Sequence, residues 1–328
     1  MFQPRSRLHR NSPALGWMLS LALLLLLGPL APARAADPVV VVVLSERSAS
    51  YLDAAEVLVR ELERGAPERG SVARADIALM TPVEYLTAAS LAPRLFIAVG
   101  AGAASLLAVR EARVPQIATL LPASSFEQIM QASGRKPSAN FSAVYLSQPF
   151  VRQMDLIRLA LPEARQVGVL FGADSQNQAA ALLAASQSRG LDLVTASVAQ
   201  GEPAYPALQK VLEEADLLLA LPSPQVYNSS SIQNILLSSY RKRVPFIGFT
   251  ASYVQAGAVV AVYSTPAMIS RQTALMARNL LMGRGPLAAP QYPQDFSVNV
   301  NEQVARSLGL KLDAVVLADR LRQMERTP

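Results

Sequence analysis

The chain has 328 residues, a formal net charge of +6, no cysteine, one histidine and one tryptophan. The missing thiols exclude disulfides, cysteine nucleophiles and cysteine-based metal sites. A single histidine leaves little room for histidine-based acid–base pairs.

The first 35 residues have the pattern of an export signal. Arg5, Arg7 and Arg10 precede a mostly apolar run at residues 14–27, and residues 33–35 read Ala-Arg-Ala, a small-x-small cleavage pattern. A transmembrane anchor is the alternative, but the run is shorter than the ~20 apolar residues that a spanning helix needs. We expect cleavage near residue 35, where no cysteine is present to carry a lipid. The pattern predicts a soluble periplasmic protein that is not a lipoprotein.

Removing this signal changes the charge and the chemistry of the chain. Four arginines and no acidic residue leave with it, which lowers the formal net charge from +6 to +2. So small a charge gives no reason to expect nucleic acid as a partner. His9 and Trp17 leave as well, so the mature chain lacks the usual side chains of histidine catalysis and of zinc or copper binding. We expect no enzyme activity, no metal and no cofactor.

Short apolar runs alternate with amphipathic helical patterns from residue 39 onward. Residues 39–44 form a continuous β-branched run, typical of a strand buried on both faces of a parallel sheet. In the following helix Tyr51, Ala55, Leu58 and Leu62 share one face. Further strands are predicted at residues 76–80, 95–99 and 116–121. This βαβ pattern predicts an α/β lobe.

The same pattern then starts again. After a predicted strand at residues 141–146, a helix places Phe150, Met154 and Ile157 on one face and ends at Pro162. The elements that follow are predicted strands at residues 166–171, 191–198, 216–221 and 244–249, with helices at 176–189, 205–215 and 229–243. Two successive four-strand units predict two doubly wound lobes with parallel sheets.

The C-terminal part predicts how the two lobes are connected. A strand at residues 258–263, a helix at 267–282 and a strand at 296–300 fit a chain that crosses back to the first lobe and returns. We place the crossings near residues 143–147, 261–265 and 290–296. Lobe 1 then comprises residues 36–145 plus 264–292, and lobe 2 comprises 146–263 plus 293–328. Several crossings make a hinge with a ligand cleft between the lobes. A last helix follows Leu312.

The order and spacing of several short segments resemble a known family. The segments are residues 99–103 (VGAGA), 139–144 (ANFSAV), 161–162 (LP), 167–171 (VGVLF), 175–177 (SQN), 244–246 (VPF), 256–258 (AGA), 281–286 (LMGRGP), and Asn301 before 305–310 (ARSLGL). Together they resemble the ABC-transporter substrate-binding proteins of the type that includes tryptophan- and tyrosine-binding lipoproteins. The resemblance covers nearly the whole mature chain. It implies a type I periplasmic-binding-protein fold and a receptor that delivers a solute to a membrane permease.

Two departures from this family bear on the ligand. Family members often carry an acidic residue after the fourth strand of lobe 1 and after the third strand of lobe 2. This chain has Leu121-Pro122 and Ser223-Pro224 at those places. Because a buried ammonium group needs an anionic partner, the departures argue against an aromatic amino acid.

The candidate ligand-binding residues come from loops beyond the carboxyl ends of the strands, where ligands of doubly wound lobes bind. They are Ser45, Glu46, Gly100, Ala101, Gly102, Thr119, Tyr145, Ser175, Asn177, Ser223, Thr250 and Tyr253. The set is rich in hydroxyl, amide and backbone N–H groups, which suits a neutral or weakly anionic solute. Preference of polar residues for turns and helix caps explains the same pattern without a ligand. Gly100 and Gly102 form only part of a dinucleotide fingerprint, because position 105 is serine.

We therefore predict a monomeric receptor that captures a small ligand for an ABC-type permease. The alternative is a ligand-sensing protein that uses the same cleft to regulate a membrane-bound sensor. An exported hydrolase is the remaining rival, for which Glu46 and Asp174 are the acidic residues that we can nominate.

Overall fold

The computed structural model describes residue 1 and residues 39–64, 71–88, 91–111, 113–136 and 140–326. The predicted export signal and its cleavage site, apart from Met1, lie outside the described residues.

The first sheet is entirely parallel. Its strands are β1 (Val40–Leu44), β2 (Ile77–Met80), β3 (Leu95–Val99), β4 (Gln116–Thr119) and β5 (Phe141–Val144). Their order in the sheet is β2-β1-β3-β4-β5. All five residues of β1 are buried, as the β-branched run predicted, because helices cover both faces of the sheet.

Within the described residues, five helices surround this first sheet. They are α1 (Ala49–Glu63), α2 (Pro82–Thr87), α3 (Ala101–Arg110), α4 (Ala123–Ser133) and, from much later in the chain, α10 (Pro266–Leu281). On α10, Ile269 and Ala277 join the apolar core beneath β1 and β3. Ser270 Oγ also donates a hydrogen bond to the carbonyl of Ala54 on α1, at 2.9 Å. The helix predicted at residues 267–282 is thus part of the first lobe.

The second sheet is parallel except at one edge. Its strands are β6 (Gln166–Phe171), β7 (Asp192–Ser197), β8 (Leu217–Leu219), β9 (Phe246–Gly248), β10 (Val260–Tyr263) and β11 (Ser297–Val300). Their order is β11-β10-β9-β8-β6-β7, and β11 runs antiparallel to β10. The helices around it are α5 (Phe150–Ala160), α6 (Ala179–Gln187), α7 (Tyr205–Glu214), α8 (Ile232–Arg241), α9 (Ala251–Ala256), α11 (Glu302–Ser307) and α12 (Ala314–Arg326).

The chain passes between the two sheets three times. It leaves the first sheet after β5, returns to it after β10 and leaves again before β11. Before that last passage Gln291 pairs with the edge of β5, where its N–H donates to the carbonyl of Ala143 at 2.8 Å. Three adjacent connections of this kind form the hinge of a two-lobed protein.

The predicted fold class is confirmed, with two differences in detail. The predicted four-strand units are sheets of five and six strands, because β5 joins the first sheet while β10 and β11 extend the second. Several strands are also shorter than predicted: β8 and β9 have three residues each. Apolar residues continue beyond the last inter-strand hydrogen bond, so the apolar pattern in the sequence is longer than the strand itself. The exact lobe limits given above stay a prediction.

Candidate ligand-binding cleft

A cleft of about 550 Å³ opens between the two sheets, at the carboxyl ends of their parallel strands. It is lined by Ser50, Pro122, Ala123, Glu127, Leu146, Ser147, Gln148, Phe150, Gln153, Asn177, Gln178, Ala181, Pro222, Phe249, Thr250, Ala251, Ser252, Val262, Tyr263, Ser264, Thr265, Pro266 and Tyr292. These residues come from both lobes and from all three crossing segments. A ligand bound here would therefore contact both lobes at once.

Four aromatic rings line the cleft: Phe150, Phe249, Tyr263 and Tyr292. Two of them rest on a second ring behind the cleft surface. The ring centroids of Tyr292 and Tyr145 lie 5.1 Å apart, and those of Phe249 and Tyr253 lie 4.6 Å apart. Such ring pairs hold the outer ring in a defined orientation. Tyr145 and Tyr253, predicted as contacts of the ligand, thus form the layer behind the lining.

Glu127 is the acidic side chain of the cleft lining, and within the described part of the chain no lysine or arginine lines the cleft with it. Burial raises the pKa of the Tyr292 hydroxyl, and the charge of Glu127 raises it further. The pKa of Tyr145 is raised by burial and, to a smaller extent, by Tyr292 and Glu127. The negative charge of Glu127 therefore acts on Tyr292 and on Tyr145 behind it.

Glu127 was missed by the sequence analysis, which nominated Glu46 and Asp174 as pocket acids. Glu46 is exposed away from the lining. Asp174 is engaged within lobe 2, where it accepts hydrogen bonds from Ser223 Oγ at 2.5 Å and from the backbone N–H of Gln225 at 3.2 Å. Glu127 lies in the second turn of α4, so a search confined to the loops after strands passes over it.

In the part of the chain that the structure describes, two hydrogen bonds join the lobes across the cleft. Asn177 Nδ2 donates to Glu127 Oε2 at 2.7 Å, and Gln128 Nε2 donates to the carbonyl of Asp174 at 3.0 Å. All three side-chain partners are exposed, which places the bonds at the mouth of the cleft. The two lobes are in contact there through α4 on one side and the turn after β6 on the other.

Ser45 and Gly100 meet behind the cleft, at the start of α3. Ser45 Oγ accepts a hydrogen bond from the N–H of Ala103 and donates one to the carbonyl of Val99, both at 2.9 Å. Gly100 is the buried N-cap residue of the helix. Both residues therefore build the junction between β3 and α3, outside the lining. Three further predicted residues are exposed close to them in the sequence: Glu46, Ala101 and Gly102.

Three other predicted residues are buried and bonded within their own lobe. The hydroxyls of Thr119 and Thr273 share a hydrogen bond of 2.8 Å, which ties β4 to α10. Ser175 is bonded to the backbone of its own turn, and Ser223 donates to Asp174. The hydroxyls of Ser175 and Ser223 thus stabilise loops that border the cleft.

Asn177 and Thr250 are the predicted residues that line the cleft. Thr250 also caps α9, since its Oγ1 accepts a hydrogen bond from the N–H of Tyr253 at 3.3 Å. The lining residues that sequence reasoning missed include a set on the crossings: residues 146–148, 263–266 and Tyr292. The predicted positions of the crossings could have identified these residues, because a segment that joins two lobes must border the space between them.

The described residues offer no metal site and no membrane span. No group of three or more histidine, cysteine, aspartate or glutamate side chains in these ranges could hold a metal ion. No helix in the part of the chain that the structure describes has the length and apolar character to cross a membrane.

Comparison with solved structures supports the fold assignment. A conserved domain protein from Vibrio cholerae O1 biovar El Tor has a TM-score of 0.59 at 18% identity, over 85% of this chain and 97% of that chain. An ABC domain from Streptococcus pneumoniae in complex with L-Trp has a TM-score of 0.58 at 15% identity, over 86% and 97%. A ligand-free, open substrate-binding protein with adhesive properties from Clostridium difficile has a TM-score of 0.61 at 14% identity, over 85% and 96%. At these identities the likeness is one of fold.

The sequence itself matches a family model and no curated protein. The model describes ABC transporter substrate-binding proteins and matches residues 85–322, well over half of the chain. This is a family of binding proteins and not of enzymes, and its members bind a small molecule and act with a permease. The resemblance seen in the sequence is thereby confirmed: the chain belongs to the family of ABC transporter substrate-binding proteins.

Proposed function

We propose that this chain is the periplasmic receptor of an ABC-type importer, which closes its two lobes on a small organic ligand and presents it to the permease. The observation that supports this most is the cleft of about 550 Å³ lined from both lobes. Its volume lies within the roughly 300–1,000 Å³ that is usual for small-molecule sites. The receptor acts as a monomer after removal of its export signal, and it binds without catalysis.

We propose a neutral or cationic ligand with a flat apolar ring, in place of the neutral or weakly anionic ligand that the sequence predicted. The rings of Phe249 and Tyr292, which both line the cleft, offer flat apolar surface. Glu127 would repel an anion and attract an ammonium group, and a ring face also attracts cations. The streptococcal neighbour was solved with L-Trp, which makes ring-bearing amines a rational first set of probes.

A melting-shift screen tests this proposal. The protein from residue 36 onward is heated with tryptamine, L-tryptophan, neutral indoles and purines, sugars, and organic acids. At a hundredfold excess over its dissociation constant a ligand stabilises the folded state by about 2.7 kcal/mol. We expect the largest shift from ring-bearing cations or neutral compounds and none from organic acids.

Two variants locate the effect in the cleft. Ala181 lines the cleft, whereas its neighbour Ala180 is exposed outside the lining. Ala181→Trp should fill the cleft and remove the shift, while Ala180→Trp should leave it unchanged. The proposal is wrong if no compound shifts the melting temperature, or if Ala181→Trp responds as the unmodified protein does.

A further inference from the structure

One buried cluster connects the cleft to all three crossings. Gln148 and Ser264 both line the cleft, on the first and second crossing. Gln148 Nε2 donates a hydrogen bond to Ser264 Oγ at 2.8 Å. Ser264 Oγ in turn donates to the carbonyl of Asp295 on the third crossing, at 2.5 Å. The three hinge segments are thus joined by side chains that also face a ligand.

Arg152 fixes this cluster from behind. Its Nη1 donates to Gln148 Oε1 at 2.6 Å and to the carbonyl of Pro293 at 3.0 Å. The guanidinium carbon lies 4.3 Å from the ring centroid of Phe296. Arg152 is only 6% exposed, and a charge so deeply buried requires a partner of opposite sign.

That partner is Glu325, in the last turn of α12. Arg152 Nε and Nη2 donate to the two carboxylate oxygens of Glu325, at 2.5 and 3.0 Å. A paired fork of this kind sets the plane of the guanidinium as well as its position. The C-terminal helix therefore determines where the Nη1 hydrogens of Arg152 point.

The orientation of the Gln148 amide follows from these contacts. A guanidinium only donates hydrogen bonds, so the atom of Gln148 that faces Arg152 must be the oxygen. The amide nitrogen then faces Ser264, and Gln148 itself lines the cleft. Because this nitrogen carries two hydrogens, Gln148 can donate one to Ser264 and one to a ligand.

We infer that α12 positions the ligand cleft: Glu325 holds Arg152, and Arg152 fixes Gln148 as a hydrogen-bond donor to the ligand. Arg152 and Glu325 are positioning residues, and Gln148 is a specificity-determining contact that selects a ligand with an acceptor atom. The inference rests on the proposed function and gives the C-terminal helix a role in binding.

Glu325→Gln is the first variant to test, because it keeps the shape of the side chain and removes the charge that holds Arg152. Glu302→Gln is the matched control, since Glu302 pairs with an exposed arginine, Arg306, on α11. The first readout needs no ligand: the side-chain amide resonance of Gln148, assigned by comparison with Gln148→Leu. It should move in Glu325→Gln and stay in place in Glu302→Gln.

The second readout is the affinity for tryptamine and L-tryptophan, measured by calorimetry. Glu325→Gln should weaken the binding of L-tryptophan, whose carboxylate can accept the hydrogen bond of Gln148, by about fivefold, the effect of losing one hydrogen bond. The affinity for tryptamine, a cation without such an acceptor, should stay unchanged. In a Gln148→Leu background the same change should have little further effect, because the donor is already absent. Arg152→Lys, which cannot form the fork, should behave like Glu325→Gln.

The outcomes separate the two proposals. If Glu325→Gln lowers only the melting temperature, and both the Gln148 resonance and the affinity stay unchanged, the helix is merely structural and the inference is wrong. If the Gln148 resonance responds but neither probe binds the unmodified protein, the positioning by α12 stands and the proposed ligand class is overturned.

Discussion

Gly100 adopts a backbone conformation that only glycine tolerates well, with φ 87° and ψ 169°. A Cβ added here would lie 2.6 Å from both Ser45 Oγ and the hydroxyl of Tyr51. We expect Gly100→Ala to lower the free energy of unfolding by about 3 kcal/mol or more, from backbone strain and steric overlap together. Urea unfolding of the purified variant measures this loss.

Gly134→Ala separates the two causes. Gly134 also has a positive φ, 66°, but a Cβ there would meet nothing within 4 Å. Gly134→Ala should lower the free energy of unfolding by about 1 kcal/mol, from backbone strain alone. Equal losses in the two variants would show that the contact with Ser45 and Tyr51 has no energetic consequence.

Residues of the site were harder to predict than the loops that carry them. Sequence reasoning found Asn177 and Thr250, because both lie in a segment that follows a buried strand. It also chose Thr119, the last residue of β4, and Ser223, which follows β8, but both turn inward to partners of their own lobe. A sequence shows that a hydroxyl follows a strand, but its direction depends on partners far away in the chain.

At the scale of elements, α12 is anchored by an apolar face. Leu321 is 1% exposed and belongs to the core of the second lobe. Leu321→Ala should cost about 2–4 kcal/mol, from lost burial and the cavity left behind. Met324, on the same helix, is 40% exposed, so Met324→Ala should change stability by less than about 0.5 kcal/mol. Similar unfolding midpoints for the two variants would contradict this packing.

Helix α2 begins with a capping box whose stability depends on pH. The backbone N–H of Thr81 donates to the carboxylate of Glu84 at 2.7 Å, and Arg47 pairs with the same carboxylate at 2.8 Å. Both contacts lower the pKa of the Glu84 carboxyl, and the hydrogen bond from the backbone of Thr81 has the larger effect. The pKa of Glu84 is therefore lower in the folded state than in the unfolded state. The contribution of its carboxylate to stability is fully present above the unfolded-state pKa, and it is lost as pH falls through the folded-state pKa.

Glu84→Gln should therefore be less stable than the unmodified protein at neutral pH, and the difference should shrink as the solution is acidified below pH 4.5, the ordinary pKa of a glutamate. Chemical unfolding at a series of pH values measures it. Glu302→Gln controls for loss of a surface carboxylate. A difference that does not vary with pH would show that the ionised carboxylate of Glu84 does not stabilise the helix.

The order of elements was largely predictable, and the sheets were less so. The buried run of β1 and the periodic apolar residues of α1 and α5 can be recognised in the sequence, because burial on a fixed face imposes a period on the apolar residues. Which sheet β5 joins depends on its pairing with β4, a contact between segments that carry no complementary signal. The crossings could be predicted because the last two strands and the helix between them fit neither of the two four-strand units.

For the whole molecule, the proposed function implies that the bonds at the cleft mouth bias the balance between open and closed lobes. An exposed hydrogen bond contributes about 0.5–1 kcal/mol, so the pair from Asn177 and Gln128 shifts this balance without fixing it. The double variant Asn177→Ala, Gln128→Ala should populate open forms more in the absence of ligand, with a larger radius of gyration in solution scattering. Gln131→Ala, on the exposed side of α4, is the control. An unchanged radius in the double variant would mean that these bonds do not bias closure.

Closure of the two lobes on a ligand can be followed directly by distance measurement. The chain has no cysteine, so two introduced cysteines carry spin labels at known places only. Gln131 on the first lobe and Gln187 on the second are exposed and lie outside the cleft lining. Labels there report the separation of α4 and α6.

The decisive measurement is the distribution of distances between these two labels, with and without the compound that gives the largest melting shift. We expect a broad distribution without it, which narrows to a single short distance when the compound saturates the cleft. A saturating compound that leaves the distribution unchanged would contradict a receptor that works by closing its lobes on a ligand.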